Sequence, residues 1–572
     1  MRFHGFFRIR FALLLCFVLP LSIFAADKNK EKAAAAEADK PSYELPQPAK
    51  ENLDYTMYQR IRDEGLTHSH VMDFASALMD GIGPRLTGSP NLRRANEWTR
   101  DQLAAMGCSN AHLEDWGEFA PWSPSTNGAV NGQAIWVDVK DDRDLDKYKG
   151  KLAGKIVLLG DMREVNPVDK PLFTRMDDKD LAKTADFPLD KQRAYSDRIQ
   201  EYVKRAALLD KTGKFLASEH ALAIILPSRD GRDSGGSGGT IFDDGGLGRS
   251  AYKRDHANPL PVVVAAIENY GRVYRLLKAN VPVSIEMNVD VAYFDDHEHG
   301  FDTIAEIPGT DPKLKDEVVL VGGHLDSWAA ATGATDNGAG TVVAMEVMRI
   351  FNTLQIKPRR TIRIGLWTGE EQGLFGSRGY VKQHFGYVPL STAPDQLEKP
   401  DWLRKPAGPV VIEPEQPKIS GYFNVDNGTG KILGIYLQGN TAIAPIFAQW
   451  MEPLKDLGVT TITARNTGGT DHQSFDAVGI PGFQFIQDRL DYESRTHHSN
   501  MDTYERLQPG DLAQAATVEA IFVYNAAMRD QMLPRKPLPH PELEEQHSAP
   551  LKVMPGALEP PEDTNDKDKQ PK

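Results

Sequence analysis

Cysteine is nearly absent from this sequence, which holds only Cys16 and Cys108 among 572 residues. Cys16 lies in an apolar run near the N-terminus, so a chain that loses this run keeps one thiol and has no internal disulfide. A small scaffold stabilised by disulfides is therefore excluded. The fold must be held by an apolar core, and a chain of this length can bury a large one.

Basic residues are also in deficit, because 66 Lys and Arg stand against 80 Asp and Glu, a net charge of −14. General nucleic-acid binders need clustered cations to neutralise phosphates, so we expect no nucleic-acid partner. Beyond the first 25 residues there is no long apolar run, which excludes a multi-span membrane protein. A hydrophobic content of 40% with 26% charged residues is typical of a globular protein.

The N-terminus has the pattern of a targeting segment. Three arginines precede the apolar residues 11–24, FALLLCFVLPLSIF, and two alanines follow them. This pattern predicts a secretory signal peptide over residues 1–25, with an uncleaved anchor as the alternative. The run is shorter than the ~20 residues of a membrane-spanning helix. We therefore expect an exported protein, periplasmic or extracellular, with no stable membrane span after cleavage.

Composition changes along the chain indicate its domains. Residues 26–52 are charged and rich in alanine, as a disordered linker is, and residues 534–572 form a tail rich in proline and charge. Residues 53–120 plus 291–533 alternate predicted strands and helices, which favours an α/β catalytic domain with a mainly parallel sheet flanked by helices. Residues 121–290 have strand-like runs among polar and glycine-rich stretches. They predict a smaller, β-rich inserted domain.

Histidine and carboxylate side chains follow the predicted strands of the catalytic domain, at the strand ends where such sheets bind ligands. Alone, each has an ordinary interpretation: Asp336 could be a helix N-cap, and Glu370 and Glu371 a solvated helix start. Together, they combine the imidazole and carboxylate ligands that suit zinc or a similar divalent ion. The motifs that carry them are GGHLDSW, GATDNGAGT, TGEEQGLFGS and HHSNMDT.

On these four motifs, in this order, the sequence resembles the M28 zinc metallopeptidases, and within them the carboxypeptidase Q (plasma glutamate carboxypeptidase) branch. The resemblance extends over residues 55–533 and includes the insertion, which is similar to a protease-associated (PA) domain. It implies the zinc-exopeptidase fold, of phosphorylase/hydrolase-like type, with a PA-like insertion at residues 121–290.

The resemblance also implies a role for each site residue. Two divalent ions, expected to be zinc, would be held by His324, Asp336, Glu371, Asp426 and His498. Asp336 would bridge both ions, and Asp326 would orient the His324 ring. Glu370 would be the general base for a metal-bridged hydroxide. His497 would either support the oxyanion or make a structural hydrogen bond.

The predicted function is therefore that of an exported di-zinc exopeptidase acting on short peptides, with aminopeptidase, carboxypeptidase and dipeptidase directions open. A glutaminyl-cyclase-like acyltransferase with one zinc ion is an alternative, disfavoured because both His324 and Asp426 are present. A catalytically inactive binding relative is another, disfavoured because Glu370 is retained. The oligomeric state is open, with a homodimer as one candidate. Residues that could hold a substrate terminus are Asp471, Arg465, Arg489 and Arg495.

Overall fold

The structure is a computed structural model that describes residues 49–119, 125–126, 128–165, 168, 170–186, 192–229, 239–242, 260–291, 299–397 and 404–538. The predicted signal peptide, most of the predicted linker and most of the predicted tail lie outside the described residues. Within these ranges, no helix combines the length and the apolar character needed to cross a membrane.

Helices and strands alternate along the chain. The α-helices of the described residues are α1 Tyr55–Thr67, α2 Val71–Ser76, α3 Pro90–Ala105, α4 Asp178–Ala185, α5 Gln192–Ser218, α6 Ile267–Lys278, α7 Ala339–Thr353, α8 Phe375–His384, α9 Pro394–Leu397, α10 Ala444–Met451, α11 His472–Asp476 and α12 Pro509–Met528. The strands are β1 Ser109–Glu118, β2 Val130–Val137, β3 Lys155–Leu159, β4 Ala223–Pro227, β5 Val262–Ala265, β6 Ser284–Met287, β7 His299–Ile307, β8 Val318–His324, β9 Thr361–Trp367, β10 Gly386–Tyr387, β11 Val411–Ile412, β12 Ile419–Asn424, β13 Ile432–Tyr436, β14 Thr461–Thr463 and β15 Gly482–Gln487.

The main sheet has eight strands in the order β1-β7-β9-β8-β12-β15-β13-β14. Its centre is parallel, since β9, β8, β12 and β15 run in one direction, whereas β1–β7, β7–β9 and β13–β15 pair antiparallel. Every residue of β8, β12 and β15 is buried. This is expected for central strands covered by helices on both faces. The predicted mixed α/β architecture is thus confirmed.

The insertion has a sheet of its own, in the order β5-β4-β3-β2-β6. In the chain it lies between β1 and β7, which pair with each other in the main sheet, so the chain leaves and re-enters that sheet at neighbouring strands. The expectation of a β-rich insertion needs correction, because this segment also contains a helix of 27 residues. A long polar stretch, residues 192–218, forms this helix. The domain boundaries themselves stay a prediction.

The parallel centre of the main sheet determines where the functional residues lie. Strands β8, β9 and β12 end at His324, Trp367 and Asn424, and their carboxyl ends lie at one edge of the sheet. The residues that follow these strands are therefore brought together at this edge.

Candidate metal centre

His324 is the last residue of β8, and its side chain is fully buried. Its Nδ1 lies 3.1 Å from the backbone oxygen of Asp326, which leaves Nε2 to face the opposite side. There, Nε2 is 3.3 Å from Asp426 Oδ1 and 3.4 Å from Asp336 Oδ1. His324, Asp336 and Asp426 thus present one ligand atom each to a common point.

A second group of ligands surrounds His498. Its Nε2 is 2.9 Å from Glu371 Oε2 and 3.3 Å from Asp336 Oδ2. The adjacent His497 stacks on this ring with centroids 3.9 Å apart, and its Nε2 is 3.8 Å from the same Asp336 oxygen. Of the two histidines, His498 is nearer to both carboxylates. Asp336 therefore turns one oxygen towards His324 and the other towards His498.

Close approach of the start of α7 to Val425, the residue after β12, brings Asp336 and Asp426 together. A Cβ on Gly340 would lie 2.1 Å from the Val425 oxygen, so only glycine permits this approach. The same oxygen accepts a hydrogen bond from Asn337 Nδ2 at 2.8 Å. Asp336 precedes Asn337 and Asp426 follows Val425, so the contact sets the distance between the two carboxylates. The Asp336–Asn337 peptide is cis.

The donor set fits a divalent metal ion. Among the described residues, four buried atoms of these two groups have no hydrogen-bond partner: His324 Nε2, Asp336 Oδ2, Glu371 Oε1 and Asp426 Oδ1. Buried polar atoms are almost always paired in native proteins, because an unpaired one is costly. Nitrogen and carboxylate oxygen that converge in a buried site are the usual ligands of zinc.

The charges of the site also favour a cation. Burial by itself lowers the pKa of His498, but Glu371 and Asp336 raise it to about 9. The pKa of His324 is likewise raised despite its burial, chiefly by Asp426. Burial raises the pKa of Glu371 to about 7, and the charge of Asp336 adds to this effect. The carboxylates thus hold positive charge at the place that a metal ion would occupy.

Asp326 supports both Glu370 and Glu371. Its Oδ2 accepts hydrogen bonds from Thr87 Oγ1 at 2.9 Å and from the Glu371 amide at 3.3 Å, while Oδ1 accepts from the Glu370 amide at 3.2 Å. The carboxylate lies 3.5 Å from His324 Nδ1, farther than the Asp326 backbone oxygen. The shorter contacts of Asp326 therefore hold the turn that carries the two glutamates. Its contact with the His324 ring, which it was expected to orient, is longer.

Glu370 stands beside the ligand groups and belongs to neither. Its side chain is buried, and its Oε2 is 3.9 Å from His324 Nε2. Burial raises its pKa well above the usual range; the charge of His324 opposes this, and that of Asp426 adds to it. A carboxyl group with a raised pKa next to a cation site is suited to taking up and releasing a proton.

Arg85 is a functional residue that sequence reasoning missed. Arg85 is fully buried. Its guanidinium donates hydrogen bonds to the carbonyls of Leu325, Thr332 and Gly333, each at 2.7 Å, and to the carbonyl of Gly83 at 3.1 Å. It thereby holds the loop between His324 and Asp336. The only sequence signal was the glycine- and proline-bearing stretch GIGPRLTGS, which predicts a loop but no role.

Asp502 is the acidic residue of the HHSNMDT motif, and the motif by itself predicts no role for it. Its Oδ1 accepts from the Thr335 amide at 2.6 Å and its Oδ2 from the Asp336 amide at 3.1 Å. Burial and the charge of Asp336 together raise its pKa to about 7. The position of this acid in the motif was the available signal. Asp502 fixes the backbone that carries the shared carboxylate.

The residues considered for substrate termini lie in different places. Asp471 is fully buried and near enough to Glu370 to raise the pKa of that glutamate. Burial raises the pKa of Asp471 itself to about 7. Arg465 instead donates to a carbonyl in α4 of the insertion at 2.7 Å, and Arg495 faces Asp491 at 3.9 Å. Of these, Asp471 is part of the buried acidic cluster.

Part of this chain matches a known protein family. The pattern of peptidase family M28 matches residues 302–523. Carboxypeptidase Q of Pongo abelii is 26% identical over 474 residues, which cover 82% of this chain and 88% of that protein. Carboxypeptidase Q of Mus musculus is 27% identical over 460 residues, covering 80% and 86%.

Solved structures share the fold. A peptidase M28 precursor from Shewanella amazonensis SB2B has a TM-score of 0.57 at 23% identity, covering 85% of this chain and 98% of that one. BSAP, a zinc aminopeptidase from Bacillus subtilis, has a TM-score of 0.50 at 16% identity, covering 81% and 95%. At these identities the similarity is one of architecture.

Proposed function

Because residues 302–523 of this chain match peptidase family M28, we propose that the protein is a zinc-dependent exopeptidase that hydrolyses short peptides. The resemblance inferred from the four motifs is confirmed, and with it the class of peptide hydrolases. The observation that carries the zinc proposal is the pair of ligand groups that share Asp336, the first buried and the second partly buried. Zinc in the name of the Bacillus subtilis aminopeptidase agrees with it.

Two ions are proposed, one on each side of Asp336. His324 and Asp426 would hold the first ion, and Glu371 and His498 the second. The support is that the two Asp336 oxygens face the two histidines, at 3.4 and 3.3 Å. When bound, such ions lower the pKa of water and polarise the scissile carbonyl.

Glu370 is proposed to move the proton. It would accept a proton from the attacking water and pass it to the leaving amine, so that the carboxyl group is restored after each turnover. Its burial keeps bulk water from the carboxyl group, and its raised pKa lets it retain a proton between the two steps. Asp326 would keep the side chain in place through the amides of Glu370 and Glu371.

Adjacent glutamates provide a matched test. Glu370→Gln should abolish hydrolysis of a dipeptide but keep the zinc content, because Glu370 is not a ligand. Glu371→Gln should lower the zinc content, measured by elemental mass spectrometry after dialysis. Unchanged turnover in the Glu370→Gln variant would refute the general base. One tight zinc ion per wild-type chain would favour the cyclase-like alternative.

The direction of attack is tested with a free dipeptide, its N-blocked form and its C-amidated form, each with and without chelator. Cleavage of the C-amidated form identifies an aminopeptidase, and cleavage of the N-blocked form a carboxypeptidase. A dipeptidase cleaves the free dipeptide alone. If no form is cleaved by protein that holds its zinc, the chain is not an exopeptidase.

Export by residues 1–25 and a PA-like nature of residues 121–290 are further proposals that rest on the sequence. Export predicts that the mature protein recovered from cells begins at Ala26. N-terminal mass spectrometry of that protein tests this start, and a full-length chain starting at Met1 would contradict it.

A further inference from the structure

The loop that carries His498 has a backbone conformation that must be held from outside. His498 has a φ of +58°, in the left-handed region that non-glycine residues rarely adopt. Such a conformation is strained and persists where the surroundings enforce it. We call residues 496–502 the histidine loop. The contacts of this loop indicate what enforces the conformation.

Asn500 joins the histidine loop to the insertion by three hydrogen bonds. Its amide donates to the Ile241 oxygen at 3.0 Å, its Oδ1 accepts from the Ile241 amide at 2.8 Å, and its Nδ2 donates to the Gly239 oxygen at 3.2 Å. Next to it, Ser499 forms an antiparallel bridge with Phe242. Residues 239–242, here the bridging segment, thus lie along the loop like a short strand.

The bridging segment is in turn fixed to the body of the insertion. Ser228, directly after β4, accepts from the Phe242 amide at 3.0 Å and donates to the Thr240 oxygen at 3.2 Å. Glu268 of α6 accepts from the Gly239 amide at 3.1 Å. A continuous series of hydrogen bonds therefore runs from the sheet of the insertion to a residue two positions after His498.

We propose that Asn500 is a positioning residue of the metal centre, and that the insertion holds His498 towards its ion through the bridging segment and Asn500. The inference rests on the proposed zinc site. In this arrangement the insertion completes one of the two ion sites. The other site does not depend on it, because His324 is the last residue of the core strand β8 and Asp426 lies two residues after the core strand β12.

The test is the zinc affinity of the purified full chain, measured by competition with a chromophoric chelator after removal of its metal. Asn500→Ala removes two of the three hydrogen bonds and leaves the main-chain bond. It should weaken one zinc equivalent about 10-fold, the usual effect of losing a residue that orients a ligand, and leave the other unchanged. Asn500→Asp keeps the acceptor for the Ile241 amide, so its loss should be smaller.

Two further variants separate positioning from general damage. Arg465→Ala breaks another contact between insertion and catalytic segment, to the Lys183 oxygen at 2.7 Å, and should leave both zinc affinities unchanged. Ser228→Ala loosens the bridging segment from the insertion side and should weaken the same equivalent as Asn500→Ala. Because both act through one segment, the double variant should lose no more than Asn500→Ala alone.

The outcomes are distinct. Wild-type affinity for both equivalents in Asn500→Ala overturns the proposal. So does an equal loss at both sites, or a loss that Arg465→Ala reproduces, because each would indicate general destabilisation. A wild-type chain that binds fewer than two zinc ions refutes the proposed centre itself. Selective loss of one equivalent in both Asn500→Ala and Ser228→Ala supports the positioning role.

Discussion

Replacement of Arg85 by Met is predicted to destabilise the fold strongly, although Arg85 contacts no proposed ligand. Its guanidinium is fully buried and donates to four backbone carbonyls. Burial lowers the pKa of Arg85 to about 10, so it remains charged at neutral pH. The side chain links the GIGPRLTGS stretch to the loop between His324 and Asp336. Methionine would fill much of the space but provide no donor.

The magnitude follows from the carbonyls that lose a donor. Gly333 keeps one, because its oxygen also accepts from the Gly338 amide at 3.0 Å. Leu325, Thr332 and Gly83 would depend on rearrangement or on water. An unsatisfied buried carbonyl costs about 1–3 kcal/mol, which sums to about 3–9 kcal/mol for the three. Thr332 and Gly83 are only partly buried and can reach water, so we expect a loss of about 3–5 kcal/mol.

The assay is urea unfolding followed by tryptophan fluorescence, with chelator present so that metal binding does not change the apparent stability. Arg94→Met is the matched control, because Arg94 is an exposed arginine on α3 and its replacement should change the unfolding free energy by less than about 0.5 kcal/mol. A single ordinary hydrogen bond contributes roughly 1 kcal/mol. If the unfolding free energy of Arg85→Met lies within about 1 kcal/mol of that of the wild type, the argument from its four carbonyls is wrong.

Two further predictions concern pH. Both carboxyl oxygens of Glu519 on α12 are buried without a partner in the described part of the chain, and burial raises its pKa well above the usual value. The folded state therefore binds more protons, and the unfolding free energy should fall by about 1.4 kcal/mol per pH unit above pH ~4.5 until the folded pKa is reached. Glu519→Gln should remove this slope in urea titrations, and an unchanged slope would contradict the assignment. His384 and Glu114 form a partly buried pair. The hydrogen bond to Glu114 raises the pKa of His384. Burial acts to raise the pKa of Glu114, but His384 lowers it, and the resulting pKa lies below the usual value. The stabilisation is fully present between pH ~4.5 and ~6.5, and is lost as pH rises through the raised pKa or falls through the lowered one. His384→Gln should cost about 1 kcal/mol at pH 6 and much less at pH 9; an equal cost at both would refute the pairing.

Local patterns in the sequence predicted the central part of the fold well. The stretches TIRIGLW and KIVLL each predict a strand, and they form β9 (Thr361–Trp367) and β3 (Lys155–Leu159) with the same bounds. Such runs are informative because a strand covered on both faces is mostly apolar. The insertion was predicted less well. Its longest helix, α5, lies in a polar stretch with weak amphipathic periodicity, which is hard to distinguish from a loop in the sequence.

The site shows the same division. From the sequence alone one can tell which side chains follow the strands and which family their motifs indicate. This is possible because each motif is a short local pattern and the four motifs occur in the order expected for the family. The sequence could not indicate the distances at which Asp336 faces the two histidines, or that Arg85 supports the loop between His324 and Asp336. These contacts can be seen only in the tertiary structure. The same holds for the pairing of Asn500 with Ile241, which lies 259 positions away in the chain. Contacts of this kind depend on how whole elements pack, and no pattern within one segment encodes them.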